Sequence, residues 1–347
     1  MSSPQAAKAA RPDNVQLVRT AAEITRHLAE PRPIIYWVDS FVSAAVGWVS
    51  FYLSATLRWP WAFLFFPLAV LGFYRATVFM HEIIHFSGSR MKPFGVGWNV
   101  FVGIPNLMPT FIYDIHIRHH AQSQYGTVDD AEYLPFGVMP PPHFILFPPM
   151  SMTIPLLAIL RFLILAPVGW IFPAAGRWVQ RRASALAMRP EFERKEPFKS
   201  SAWRVQEAAA FAWAAFIAGS VFVGWLPLRF VWLWIGVIAA GAILNSTRTV
   251  VSHRYRSGNQ RMTFIEQLRD SVNHPNGFLP ELWAPVGLRY HALHHLLPFL
   301  PYHSLPEAHR LLMEKLPGDS VYRETNSPSL PRTLGVLWAS AKQTPTC

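Results

Sequence analysis

The sequence predicts an all-α integral membrane protein. The predicted architecture has two transmembrane helical hairpins (four spans), interfacial or re-entrant helices, and a cytoplasmic histidine-rich cap. Three observations predict this class. Of the 347 residues, 51% are hydrophobic and only 15% are charged, whereas a soluble domain carries roughly a quarter charged residues. Tryptophan and phenylalanine are abundant, as they are near membrane–water interfaces. The long apolar runs also come in pairs, each joined by a short turn.

The first predicted hairpin consists of the apolar runs 34–57 and 61–80, joined by the turn "RWP". Each run is long enough to cross a bilayer core at about 1.5 Å per residue. Two spans joined by a tight turn return the chain to the side where it began. Segment 1–33 has no apolar leader and is predicted to be cytoplasmic. Asp39, near the start of the first run, is interpreted as an interfacial carboxylate.

The second predicted hairpin consists of the runs 208–226 and 228–250, joined by "LPLR", and it ends just before His253. The basic stretch 176–204 precedes it and is predicted to be cytoplasmic by the positive-inside rule. Segment 144–172 is apolar and rich in proline. It fits a kinked span, a re-entrant hairpin or a surface helix, and the basic stretch implies that it does not cross an odd number of times.

The net charge and the cysteine content limit the kinds of partner and site that the chain can have. The formal net charge is +11, and the basic residues lie between apolar runs, which favours positive-inside loops over nucleic-acid binding. Cys347 is the single cysteine, so the chain itself can form neither a disulfide nor a thiolate metal site.

The sequence divides into the N-terminal segment, a membrane domain at 34–312 and a cytoplasmic tail at 313–347. Residues 93–113 are apolar but broken by Gly and Pro, which predicts an interfacial or re-entrant piece.

Histidines provide the strongest functional signal. Three groups have the spacing that places imidazoles on one face of a helix, and all three fall on the cytoplasmic side of the predicted topology. A ninth histidine follows the fourth span at the same level. The predicted metal ligands are His81, His85, His116, His119, His120, His253, His291, His294 and His295.

The first group also matches the zinc-protease pattern H-E-x-x-H, read as His81-Glu82-Ile83-Ile84-His85. One zinc takes three or four protein ligands, however, and nine imidazoles suit two metal ions. Isolated histidines are interpreted as ordinary hydrogen-bonding groups rather than ligands; these are His27, His143, His309 and, as a structural residue, His274.

The order H-x₃-H, H-x-x-H-H, H-x-x-H-H, with hydrophobic hairpins between the boxes, resembles the membrane fatty acid desaturase family and its related hydroxylases, from about Ile34 to Leu312. The resemblance implies two non-haem irons at the cytosolic face of a four-helix transmembrane bundle, held by the nine histidines. It also implies a desaturase-like domain at 34–312 that uses dioxygen and two electrons. Thr249 occupies the place where some members have an asparagine ligand, and Asn245 is not assigned.

The resemblance implies an oxidoreductase that desaturates an acyl chain of a fatty acid or lipid. The alternative is a hydroxylase acting on a fatty acid, sphingoid base, sterol or carotenoid. Two more distant alternatives are a membrane zinc protease and a non-catalytic metal-binding or transport protein. The substrate is expected to enter a narrow apolar tunnel, whose walls come from the spans and from 93–113. Carboxylates that could orient the ligand histidines are Glu82, Asp114, Asp129, Asp130 and Glu132.

Electrons are expected from an external donor, because the sequence has no flavin or dinucleotide glycine motif. A ferredoxin, cytochrome b5 or rubredoxin-like protein is expected to dock on the basic cytoplasmic face, since these donors are typically acidic. Arg118, Arg254 and Arg256 are candidates for that face or for holding an acidic lipid headgroup.

Overall fold

The computed structural model describes residues 4–195 and 200–343, with side chains from residue 15 onward. Cys347 lies outside the described residues, as do parts of the predicted terminal segments and of the basic stretch 176–204. Over the described ranges the regular structure is helical, supplemented by isolated β-bridges. The α-helices are α1 (Pro4–Thr25), α2 (Pro33–Thr56), α3 (Trp61–His85), α4 (Lys92–Trp98), α5 (His116–His119), α6 (Pro142–Met150), α7 (Ile154–Ile159), α8 (Ala166–Ile171), α9 (Pro173–Arg182), α10 (Ser201–Phe222), α11 (Leu228–Ser252), α12 (Phe264–Asp270), α13 (Pro280–Trp283), α14 (His291–Leu296), α15 (Leu305–Lys315), α16 (Val321–Glu324) and α17 (Leu330–Lys342).

The chain divides into two compact units, each assembled from separate stretches. The histidine unit comprises Met1–Arg32, Arg118–Pro141 and Arg248–Cys347. The hairpin unit comprises Pro33–Ile117 and Pro142–Thr247. The division of the chain into the consecutive segments 1–33, 34–312 and 313–347 remains a prediction.

In the hairpin unit, α2 and α3 form the expected antiparallel pair. Gly47 and Gly72 lie at the crossing, where a Cβ on Gly72 would come within 2.5 Å of the Gly47 backbone nitrogen. Small residues allow such close approach of helices in a membrane. Asp39 and Arg75 form a two-point ion pair between the helices, with distances of 2.6 and 3.0 Å. Asp39 therefore ties the two helices together.

Within residues 4–195 and 200–343, five helices are long and apolar enough to cross a membrane by length and composition, and they suggest an integral membrane protein. Four match the runs predicted from the sequence, and the fifth is Pro142–Ile171. Many of their large apolar side chains face outward, including those of Phe41, Phe63 and Phe222. The division into four spans and the cytoplasmic orientation remain predictions.

The helix at Pro142–Ile171 is not regular. Pro148 and Pro149 lie inside its first part, and a 3₁₀ turn (Ser151–Thr153) and a π-helical stretch (Leu160–Leu165) interrupt it. Proline removes a backbone donor and clashes with the preceding turn, which accounts for the first interruption. The π-helical stretch carries Arg161, which is buried and pairs with Glu207 of α10.

Segment 93–113 is also broken, as its Gly and Pro content predicts. It contains α4, a π-helical stretch (Asn99–Gly103) and a 3₁₀ turn (Thr110–Tyr113). The side chain of Asn99 holds the bend, because its oxygen accepts from the Thr110 backbone N–H at 3.0 Å and its nitrogen donates to Thr110 Oγ1 at 2.9 Å. This bend leads directly into the second histidine box.

The core of the histidine unit consists of apolar side chains from α1, α12, α14 and α15. Isolated β-bridges then fix the chain around α14. Asn273 pairs with both Tyr290 and Asn326, and His253 pairs with Ser271. Since Tyr290 precedes α14, these bridges hold the third histidine box against the segment that follows α11.

Candidate metal centre

Four histidines of the histidine unit point their Nε2 atoms at one another. We name His119, His253, His291 and His295 the His253 group. The Nε2 atoms are 3.3 Å apart between His119 and His253, 2.8 Å between His253 and His291, and 3.1 Å between His291 and His295. One ligand atom from each of the four lies within 4.8 Å of the others. Four imidazoles therefore converge on one point.

The local fold accounts for this convergence. His291 and His295 are four residues apart on α14, so both rings lie on one face of that helix. His253 follows the last turn of α11, and its β-bridge to Ser271 sets the direction of the chain there. His119 ends the short helix α5. Residues far apart in sequence thus meet through backbone pairing and helix geometry.

In two of the rings, a hydrogen bond at Nδ1 determines that Nε2 is the nitrogen without a proton. His119 Nδ1 lies 2.9 Å from Asp130 Oδ2, so Nδ1–H donates to the carboxylate and Nε2 keeps its lone pair. His253 Nδ1 lies 2.8 Å from the Tyr125 hydroxyl, which donates to Asp270 Oδ2 at 2.9 Å. Carboxylates in this position fix the tautomer and direction of metal-binding histidines.

Burial and neighbouring charges shift the protonation of the group. Burial lowers the pKa of His253, His291 and His295 well below the usual value, and the repulsion that a protonated ring would meet from its histidine neighbours lowers it further. Burial tends to lower the pKa of His119, but the charge and hydrogen bond of Asp130, together with the charges of Glu132 and Asp270, raise it overall. Neutral imidazole is the form that binds metal, so three of the four rings are held in the ligating form at neutral pH.

The spacing of the Nε2 atoms fits a shared metal ion. Ligand nitrogens about 2.1 Å from one ion lie about 3.0–3.4 Å apart when the angle between them is 90–109°. The three Nε2 separations of 2.8, 3.1 and 3.3 Å are close to that range. Bare nitrogens this close repel one another without a cation between them, and imidazole suits iron as well as zinc, copper and nickel.

A further pair of imidazoles lies beside this group in the same unit. His120 Nε2 and His294 Nε2 are 3.1 Å apart, and the His120 ring stacks on His295 at 4.3 Å between centroids. The spacing on α14 accounts for both contacts. His291 and His295 share one face of the helix, whereas His294 is offset toward His120.

Three histidines of the hairpin unit form a second cluster. We name His81, His85 and His116 the His81 group. Ring centroids are 5.2 Å apart for His81 and His85, 4.6 Å for His81 and His116, and 5.3 Å for His85 and His116. Tyr113 stacks on His116 at 5.0 Å and 14°, and its hydroxyl lies 3.3 Å from His116 Nδ1. The last turn of α3 thus places two rings beside the start of the second box.

Comparison with known proteins identifies the family. The family model for fatty acid desaturases matches residues 58–326. The chain belongs to the fatty acid desaturase family. A ceramide hydroxylase from Caulobacter vibrioides (strain NA1000 / CB15N) is 38% identical over 334 residues, which cover 95% of each chain. No solved structure matches the chain.

Membership in the desaturase family supports an oxidoreductase and a lipid substrate, and it agrees with the membrane character of the helices. The family is a di-iron family, and the structure contains histidine clusters that could hold metal ions. The H-E-x-x-H match at 81–85 lies within the residues that the desaturase family model covers.

The predicted carboxylates lie in different surroundings. Asp130 is buried against His119. Glu82 accepts from the Tyr36 hydroxyl at 2.7 Å, and its other oxygen is 3.8 Å from His81 Nδ1. Asp129 is exposed to solvent.

Asp114 directly follows Tyr113 but pairs with an arginine. Arg194 contacts both of its carboxylate oxygens, at 2.6 and 3.0 Å. Glu132 is half-buried, and its backbone N–H donates to Asp130 Oδ1 at 3.0 Å. Asp130 Oδ2 lies within hydrogen-bonding distance of the His119 ring, at 2.9 Å from Nδ1.

Sequence reasoning missed Tyr125 and Asp270. The two are separated by 145 residues, and nothing in their local sequence marks them as partners of His253. His274 and His309, which were interpreted as non-ligands, make ordinary contacts. His274 Nε2 lies 3.2 Å from the Val251 carbonyl, and His309 Nδ1 lies 2.7 Å from the Tyr322 hydroxyl.

Proposed function

We propose that this chain is a membrane di-iron oxygenase that hydroxylates a lipid of the ceramide class. The similarity to a named ceramide hydroxylase along 95% of both chains carries this proposal. It favours hydroxylation, the alternative derived from the sequence, over desaturation of an acyl chain. A relative that matched only the histidine boxes would support either reaction equally.

The proposed metal content is two irons held by the nine predicted histidines. The His253 group supplies four nitrogens for one iron. The other predicted ligands are His81, His85, His116, His120 and His294, and the family resemblance implies a second iron. When bound, the iron pair supplies dioxygen chemistry strong enough to attack an unactivated C–H bond.

The protein side chains orient the ligand histidines and limit the access of water to the site. Asp130 and the Tyr125–Asp270 pair aim the Nε2 atoms of His119 and His253. Burial of His119, His253 and His291 limits the access of water, which reduces wasteful side reactions of a strong oxidant. The balanced reaction inserts one oxygen atom of dioxygen into a C–H bond and releases the other as water, consuming two electrons and two protons.

The partners follow from that balance. The electrons are proposed to come from a separate ferredoxin, cytochrome b5 or rubredoxin-like protein. The lipid is proposed to reach the irons from the membrane, and the active site and both termini are proposed to face the cytoplasm. Ceramide provides an apolar chain that suits a site of this kind and a polar head that can remain at the interface.

The test is mass spectrometry of ceramides from a host that makes them and expresses the full chain. We expect a new ceramide heavier by one oxygen atom, and the added atom should carry the label when the cells are grown under labelled dioxygen. A His295→Ala variant should make no such product, while His27→Ala should make it at the normal level. A ceramide lighter by two hydrogen atoms would instead show desaturation and overturn the proposal.

A further inference from the structure

We propose that residues 275–282 of the histidine unit form a membrane-interface anchor, which we name the Phe278 loop. Its sequence is "PNGFLPEL". The proposed occupant of its apolar tip is the headgroup and upper acyl region of the bilayer. Neither the metal ligands nor the proposed reaction requires this contact, so the inference stands apart from the proposed function.

The tip of the loop is apolar and points outward. Phe278 is 72% exposed and Leu279 is 70% exposed, and the two are adjacent in sequence. Leu282, one turn further on, is 39% exposed. Single exposed apolar residues are common on proteins, but a contiguous group of this kind marks a contact surface.

The loop is held in shape from below by one buried arginine. Arg289 Nη1 donates to the Gly277 carbonyl at 3.1 Å and to Glu281 Oε1 at 3.2 Å. Its Nε donates to the His274 carbonyl at 3.2 Å, and its Nη2 donates to the Pro275 carbonyl. One side chain thus satisfies polar groups at both ends of the loop and presents the apolar tip as a fixed feature.

The charge of the loop is compatible with contact with lipid. Glu281 is its one charged side chain, and that carboxylate pairs with Arg289. Burying a carboxylate in an apolar medium is costly unless it is paired. An apolar tip with a paired charge beneath it resembles the face that interfacial segments turn toward the bilayer, where they reach about 5–10 Å into the headgroup and acyl boundary.

The base of the loop is fixed to the end of a candidate span. His274 Nε2 contacts the carbonyl of Val251 in the last turn of α11, at 3.2 Å. The His274 ring also packs edge-on against Trp283, with centroids 5.0 Å apart. From His274 to Leu279 is five residues, which reach at most about 17 Å. The apolar tip therefore lies within about 17 Å of the contact between His274 and the end of α11, where a membrane surface is expected.

The test uses the single cysteine of the sequence. In a Cys347→Ser background, a Phe278→Cys or Leu279→Cys variant is labelled with an environment-sensitive fluorophore and reconstituted, iron-loaded, in vesicles of phosphatidylcholine and phosphatidylglycerol. Quenching is measured with iodide in the water and with lipids that carry a nitroxide at shallow or deep positions. Matched controls are Asp319→Cys, on an exposed polar loop of the same unit, and Phe216→Cys, on the outward face of α10.

We expect both loop labels to be quenched severalfold more weakly by iodide than the label at 319. We also expect them to be quenched more strongly by shallow than by deep nitroxide lipids, whereas a label at 216 should respond more to the deep position. Iodide quenching at 278 and 279 equal to that at 319 would overturn the proposal. Protection that appears only after an electron-donor protein is added would also overturn it, because the tip would then be a protein docking site. Neither result depends on which reaction the irons catalyse.

Discussion

The two histidine clusters are oriented by different means. In the His253 group, rings from separate stretches of chain are aimed by hydrogen bonds to a buried carboxylate, Asp130, and to a tyrosine that contacts another, Asp270. Each group contains one pair of rings set by i, i+4 spacing on a helix, His291 and His295 on α14 and His81 and His85 on α3. In the His81 group the third ring, His116, stacks on Tyr113. In the His253 group, the two rings from outside α14, His119 and His253, are the ones held by the outer polar groups Asp130 and Tyr125. Outer-layer substitutions should therefore affect the His253 group more.

Substitution of the ligands themselves should have the largest effect. We expect His253→Ala and His81→Ala each to abolish turnover, because each removes a nitrogen from a proposed iron site. Iron per purified chain should fall in both. The same loss is expected for each of the other seven predicted ligands. His27→Ala and His143→Ala are the controls and should keep iron and activity. Full iron and activity in His253→Ala would remove this residue from the ligand set.

Asp130→Asn should have the next largest effect. The amide still contacts His119 but no longer offers a charged acceptor, and loss of such an outer carboxylate commonly costs about 10–100-fold in metal affinity or activity. The measurement is iron retention against a chelator, together with turnover. Asp129→Asn, at the exposed neighbouring position, is the matched control. Equal behaviour of the two variants would contradict the role of Asp130.

Tyr125→Phe should weaken the same cluster to a smaller degree. It removes the hydroxyl that lies between His253 Nδ1 and Asp270, while the ring can still fill the space. We expect a loss near the lower end of that range, about 10-fold in iron affinity. Tyr133→Phe removes another hydroxyl that donates to Asp270, at 2.9 Å, and it should have less effect on iron. If both variants lose iron equally, the tyrosine layer acts on Asp270 rather than on His253.

Glu82→Gln tests the other cluster and should have a milder effect. The amide oxygen can still accept from the Tyr36 hydroxyl, and the present distance from Glu82 to His81 Nδ1 is 3.8 Å. We expect turnover to fall by less than in Asp130→Asn. In a zinc protease of the H-E-x-x-H type this glutamate is the general base, so complete loss of activity together with retained metal would revive that alternative.

The smallest expected effect concerns a histidine outside both clusters. Burial, followed by the charge of Arg289, lowers the pKa of His309 from 6.5 to about 4. His309 binds a proton more readily in the unfolded chain than in the folded one. Protonation of the unfolded chain therefore lowers the free energy of unfolding as the pH falls from 6.5 toward about 4, and His309 has no such effect above that range. Thermal unfolding at about pH 7 and about pH 5 should show a smaller acid shift in His309→Gln than in the unsubstituted chain. Identical shifts would contradict this assignment.

The fold was predictable where apolar runs determine it. The predicted runs 34–57, 61–80 and 228–250 correspond to α2, α3 and α11 within a few residues. The predicted run 208–226 differs more, since α10 begins at Ser201 and ends at Phe222. Its first turns carry Glu207, a charge that marks a span boundary in sequence but is paired with Arg161 in the structure.

The candidate site was predictable only in part. Box spacing identifies the histidines, because i, i+3 and i+4 positions share a helix face. It does not reveal Tyr125 or Asp270, whose contact depends on how distant loops meet. It also does not separate Asp130 from Asp129, adjacent residues of which one is buried against His119 and the other faces solvent.

Metal analysis of the purified full-length chain, combined with the two cluster variants, tests the central claim most directly. The account predicts two irons per chain in the unsubstituted protein, with a deficit in both His253→Ala and His81→Ala. One zinc per chain, with iron absent after iron-replete expression, would contradict it.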